Sequence, residues 1–124
     1  MVWTVAFTPD SRTLITGSAD KTIRLWDLSH RNAPKQLGAP LTGPRDAVWC
    51  SAVSPDGSLL AVGSADDTVR FWNITNPAAP AEVSNPITTK NDRVESVAFS
   101  PDGTLLAIAG SDASMHLWRL GTDQ

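Results

Sequence analysis

Cysteine occurs once in this sequence, at Cys50. No disulfide can form within the chain, and a reducing compartment is the expected setting. Histidine is nearly as scarce, with only His30 and His116, and nucleophilic catalysis needs a base poised beside its nucleophile. There is no Gly-rich phosphate loop, nucleophile elbow or Cys/His set at metal spacing. No enzymatic activity, cofactor or metal is therefore expected. An excess of basic charge is also missing, since 10 basic and 13 acidic residues give a net charge of −3. That leaves no electrostatic footprint for nucleic acid or an anionic membrane. No apolar run approaches the ~20 residues of a membrane-spanning helix. Met1 is followed by no basic region and apolar core of the secretory kind, so a cytoplasmic location is expected. The hydrophobic share, 41%, is that of an ordinary globular chain.

What the sequence does contain is one stretch written three times. Val94 to Leu120 reads VESVAFSPDGTLLAIAGSDASMHLWRL, and the same frame stands at Val48 to Ile74 and at Val2 to Leu28. Trp26, Trp72 and Trp118 recur every 46 residues without a gap, as do Asp20, Asp66 and Asp112. A fixed period of this size marks an array in which one unit cannot bury its apolar face without its neighbours. The units are 1–46, 47–92 and 93–124, and function must be argued from the array.

Each unit reads as a β-meander. Val94 to Phe99 forms a first strand, joined through Ser100-Pro101-Asp102-Gly103 to a second at Leu105 to Ala109. Proline pre-sets φ at the second turn position, aspartate bonds back to nearby N–H groups, and glycine takes the positive φ that other residues resist. The first copy has Ser11 in place of Gly57 and Gly103, so its turn is expected to be strained. A second tight turn at Ser111-Asp112-Ala113-Ser114, matching Ala65-Asp66-Asp67-Thr68, leads to a third strand ending at tryptophan. Outer strands are expected near Lys35 to Leu41 and Ala81 to Ile87. Pro40 and Pro86 sit there at matching positions, where a missing N–H is tolerable only at an edge.

On GSADKTIRLWD at Gly17 to Asp27, GSADDTVRFWN at Gly63 to Asn73 and VESVAFSPDG at Val94 to Gly103, the chain resembles the WD40 family. The resemblance implies an all-β fold of WD40 β-propeller blades, about three four-stranded antiparallel blades with the last lacking its outer strand. Family repeats run about 40 to 45 residues, so the period here fits with a slightly long loop. Propellers close with about 4 to 8 blades, so an open partial propeller is expected, as a fragment of a longer chain or as copies that assemble. The Pro-containing PKQLGAPLTG phrase is similar to actinomycete-type bacterial arrays, which often follow a signalling NTPase or kinase.

Departures from the family pattern bear on stability. The Gly-His that precedes the first strand in many such repeats reads Gly43-Pro44 and Thr89-Lys90 here, so the buried tetrad built on that histidine cannot form. Asp20, Asp66 and Asp112 remain as structural turn caps, with Ser18 and Ser64 beside the first two and Gly110 in the third copy. Trp-Asp survives only at Trp26-Asp27. His116 takes the place of Arg24 and Arg70 and reads as a tolerated strand substitution. Asp66-Asp67 reads as a solvated turn, and Cys50, aligned with Thr4 and Ser96, as a packed thiol. Asn73-Ile74-Thr75 matches a glycosylation acceptor that is incidental without a secretion signal.

The repeated apolar positions, such as Val5, Ala6, Phe7, Val97, Ala98 and Phe99, are expected as core because neighbouring blades cover both strand faces. Function would then lie where the copies differ. In the family, residues flanking the first-strand valine and the residue before the turn aspartate point to the top face around the central channel. Carried over, these are Trp3, Trp49, Arg93, Glu95, Ala19, Ala65 and Ser111. Aromatic and arginine side chains dominate interface hot spots, so this rim would suit a protein or peptide partner; packing of Trp3 and Trp49 between blades is the alternative. The expected function is a non-catalytic interaction scaffold. Its partners would be a protein or peptide and further WD40 blades, in the same longer chain or by homo-oligomerisation. The alternative is a regulatory or sensor segment of a larger bacterial signalling enzyme.

Overall fold

The computed structural model describes residues 1–29, 32–88, 93–110 and 115–119, and the regular structure of these residues is entirely β-strand. Strands β1 (Val2–Phe7), β2 (Thr13–Ser18), β3 (Ile23–Asp27) and β4 (Lys35–Leu41) make one antiparallel sheet in chain order. Strands β5 (Val48–Val53), β6 (Leu59–Ser64), β7 (Thr68–Asn73) and β8 (Ala81–Thr88) repeat it. The third sheet holds β9 (Val94–Phe99), β10 (Leu105–Gly110) and β11 (Met115–Arg119) among the described residues.

The hairpins form for the expected reasons. Gly57 and Gly103 adopt φ of 78° and 75°, and their N–H groups bond to the carbonyls of Ser54 and Ser100 at 2.9 Å. Ser11 holds the same left-handed conformation at φ 62°, with a Cβ that glycine would not carry. The second turns hold a surprise in Lys21 and Asp67, which have φ of 75° and 70°. Both follow an aspartate whose side chain ties the turn together, and that local bonding outweighs the backbone penalty.

The outer strands β4 and β8 lie at the sheet edges, where the prolines pointed. In each the ladder breaks at one place: Ile23 and Leu25 pair with Leu41 and Leu37, and Val69 and Phe71 with Ile87 and Val83. Three outer residues thus stand against one, and Pro40 and Pro86 fall within that bulge. A bulge leaves its extra residues out of the ladder, so proline's missing N–H costs no pairing.

The sheets pack face to face, with β1, β5 and β9 adjacent. One core lies between the first and second sheets, where Ile15, Ile23 and Leu25 meet Val48, Leu60, Val62, Trp72 and Ile74. The other joins Ala61, Val69 and Phe71 to Val94, Val97, Leu106 and Ile108. The second sheet is therefore covered on both faces, as the repeat pattern requires. The outward faces of the first and third sheets are not. Val5 and Phe7 are each 60% exposed, as are Met115 and Leu117, and Ala98 is exposed. This corrects the expectation that Val5, Phe7 and Ala98 are core: no described sheet covers the faces on which they stand.

Candidate functional site

The top rim begins with a break in register. Val2 pairs with Ser18 and Thr4 with Gly17, leaving Trp3 without a partner residue. Val48 and Cys50 pair with Ser64 and Gly63, skipping Trp49, and Val94 and Ser96 pair with Gly110 and Ala109, skipping Glu95. Each first strand thus carries a bulge at the same place, and a bulge re-aims the side chain it frees. No motif in the sequence marks it. The only hint is that one register position holds Trp3, Trp49 and Glu95.

These bulges bring Trp3 and Trp49 into a stack, with ring centroids 5.9 Å apart and planes inclined by 12°. The Arg93 guanidinium carbon lies 5.4 Å from the Trp49 ring centroid, within cation–π range. The order Trp3–Trp49–Arg93 runs across all three sheets. Trp49 is half-buried, whereas Trp3 is 52% exposed. Beneath the stack, Thr4 Oγ1 and Ser51 Oγ share a hydrogen bond of 3.0 Å between the first two sheets.

The remaining rim candidates are partly assembled around it. Ala19 and Ala65 donate N–H bonds of 2.9 Å to the carbonyls of Met1 and Ala47, which fixes their turns beside the strand starts. Glu95 and Arg93 are exposed. Ser111 lies outside the described residues, as does Asp112.

Asp20 and Asp66 cap their turns. Asp20 accepts from the hydroxyls of Ser18 and Thr22 and from the Thr22 N–H at 3.0 Å, and Arg24 lies 3.5 Å away. These bonds, Ser18 first, hold its carboxyl far below the ordinary range. Asp66 accepts from Ser64, Thr68 and, at 2.7 Å, the Arg45 N–H. Burial pushes its pKa up, but the Arg45, Ser64 and Thr68 bonds outweigh this and the net shift is downward. Arg70 pairs with Glu82 across the sheet at 3.3 Å, whereas Arg24 pairs with its own turn aspartate.

The tryptophans of the repeat frame are not equivalent. Trp26 donates its indole N–H to Thr16 at 3.1 Å. Trp72 is buried in the first core, and Trp118 is 43% exposed on the third sheet.

At the opposite end, the hairpin turns enclose a cleft of about 290 Å³ lined by Thr8, Asp10, Asp56, Thr75 and Pro77. Its carboxylates serve their own turns: Asp56 accepts from Ser54 and Ser58 at 2.7 Å, and Asp10 from Thr8 at 2.6 Å. Among the described residues no cluster of His, Cys, Asp and Glu is placed to hold a metal ion. Cys50 is buried, and burial pushes its thiol pKa up to about 12. A thiol in that state is a packing group rather than a nucleophile.

Stacked β-meanders whose first strands lie side by side, with a rim of bulged side chains above them, define blades of a propeller. The chain belongs to the WD40 family: the family model described as WD domain, G-beta repeat matches residues 1–27, 35–73 and 84–119. A search of curated protein sequences finds no match. WD40 repeats generally mediate protein–protein interaction and are typically non-catalytic. Among the described residues no helix is long and apolar enough to cross a membrane.

Proposed function

We propose that this chain is a non-catalytic interaction scaffold that holds a protein or peptide on its tryptophan-bearing rim. The Trp3–Trp49–Arg93 stack carries this reading. An aromatic ring is costly to leave in water, yet the outer ring here stays half in solvent while its neighbour holds it in place. Such a side chain is pre-organised, so a partner that covers it loses little further rotamer freedom. Arg93 adds a planar donor set beside the rings, suited to carboxylate or backbone carbonyl groups. The buried, unreactive Cys50 fits the expected cytoplasmic setting, which belongs to the same proposal.

The test is selection of a displayed peptide library against the wild-type chain, followed by re-measurement on Trp3→Ala and Arg93→Ala. The stack itself is worth about 0.5–1.5 kcal/mol, so both variants are expected to keep their circular dichroism spectrum and most of their stability. Affinity for the selected peptides is expected to fall about tenfold or more. Peptides that bind all three chains equally would remove the rim from consideration.

A further inference from the structure

The two internal blade interfaces depend on one glycine each. A Cβ placed on Gly17 would stand 2.4 Å from Val48 Cγ1 in the next sheet and 2.8 Å from Thr4 Cγ2 in its own. One placed on Gly63 would stand 2.4 Å from Val94 Cγ1 and 2.5 Å from Cys50 Sγ. Carbon atoms in contact prefer about 3.5–4.0 Å. Each following blade therefore seats its first-strand valine in room left by a missing methyl group.

The third blade breaks this rule. Ala109 holds the register of Gly17 and Gly63: it pairs with Ser96 as Gly63 pairs with Cys50 and Gly17 with Thr4. The bulge beside it is also the same, so no slip in pairing moves its methyl group aside. Within the blade, Ser96 accommodates the change by being smaller than Thr4 or Cys50. Beyond the blade, the room that a valine would need is filled. The outward face concerned is the one that exposes Met115 and Leu117.

We propose that Ala109 makes this face selective: it rejects a blade with valine at the position of Val48 and Val94, and takes one with glycine there. The first blade of a second copy carries Val2 at that position, so it is rejected. The accepted neighbour is a blade-type β-sheet of different sequence, packed in the geometry of the two internal interfaces. Alanine in place of that valine would be the largest tolerable residue, because a Cβ placed on Gly63 or Gly17 would already stand 3.0 Å from Val94 Cβ or 3.2 Å from Val48 Cβ.

Disulfide trapping between two chains tests this. Thr4 and Ser51 touch across an internal interface, and Ser96 and Val5 hold the same two register positions. One chain carries Ser96→Cys, with or without Ala109→Gly; the other carries Val5→Cys, with or without Val2→Gly. Mixed under mild oxidation, the pair with Ala109 and Val2 intact is expected to link least. Either relieving substitution is expected to raise the linked fraction about tenfold, with the 5–96 bond identified by peptide mass. Equal yields in all four mixtures, high or low, would overturn the proposal. Inside the chain, Gly63→Ala is expected to lower the urea midpoint and Val94→Ala to restore part of it. A Gly63→Ala chain as stable as its parent would also overturn it.

Discussion

Asp56 and Asp102 hold the hairpin turns through a single oxygen each. Asp102 accepts from the hydroxyls of Ser100 and Thr104 at 2.7 Å and from the Thr104 N–H at 3.0 Å. The Ser54 and Ser100 bonds lead in bringing the two carboxyls down to about 2. A carboxyl whose folded pKa is depressed contributes stability that is present above its unfolded value and is lost as pH falls through the folded one. The chain is therefore expected to keep constant stability above pH ~5 and to lose it between pH ~4 and ~2, read as urea midpoints across that range. Asp102→Asn should flatten part of the slope; an unchanged slope would mean that the turn carboxylates do not govern acid unfolding. Cys50 supplies a second prediction at this scale. With its thiol buried and pushed up to about 12, it should resist a thiol reagent at pH 8 in the folded chain and react at once in denaturant. Rapid labelling of the native chain would contradict the buried placement.

At the scale of the element, the repeat made the strands and turns legible because identical turn chemistry recurs at fixed spacing. The outer strands were also readable, from the length of chain between the repeat frames, and Pro40 and Pro86 supported their place at the edge, since proline is restricted to edges and bulges. The bulges at Trp3, Trp49 and Glu95 were not, because each falls one residue from the start of its strand, too near the end for the reversal of alternation across it, which puts Val48 and Cys50 in opposite cores, to form a pattern. For the same reason the rim residues are legible by resemblance, whereas their stacking is set by the bulges. The positive φ of Lys21 and Asp67 was hidden as well: side-chain bonds to Asp20 and Asp66 hold a conformation that sequence assigns to glycine. Ser11 was the one strained turn that sequence did expose. Ser11→Gly should relieve its left-handed backbone and stabilise the chain by about 0.5–1 kcal/mol after glycine's entropy is counted. A urea midpoint that falls would show that the turn carries no such strain.

For the whole molecule, the decisive fact is that no core belongs to one blade. Leu60 lies in the core shared with the first sheet, and Phe71, in the neighbouring strand of the same blade, lies in the core shared with the third. In an array coupled only through nearest neighbours, damage on one face should be felt on that side first. Leu60→Ala and Phe71→Ala are each expected to cost about 2–5 kcal/mol, with similar losses in overall stability. Their patterns of amide exchange should differ. Leu60→Ala should lose protection mainly in Thr13–Ser18 and Ile23–Asp27, and Phe71→Ala mainly in Val94–Phe99 and Leu105–Gly110. Blades that open in this directed way would be separable units held by pairwise faces, which is the property that lets Ala109 at one face set what may follow. Uniform loss of protection in both variants would instead mean that the three sheets open together, and that stability is a property of the array rather than of its interfaces.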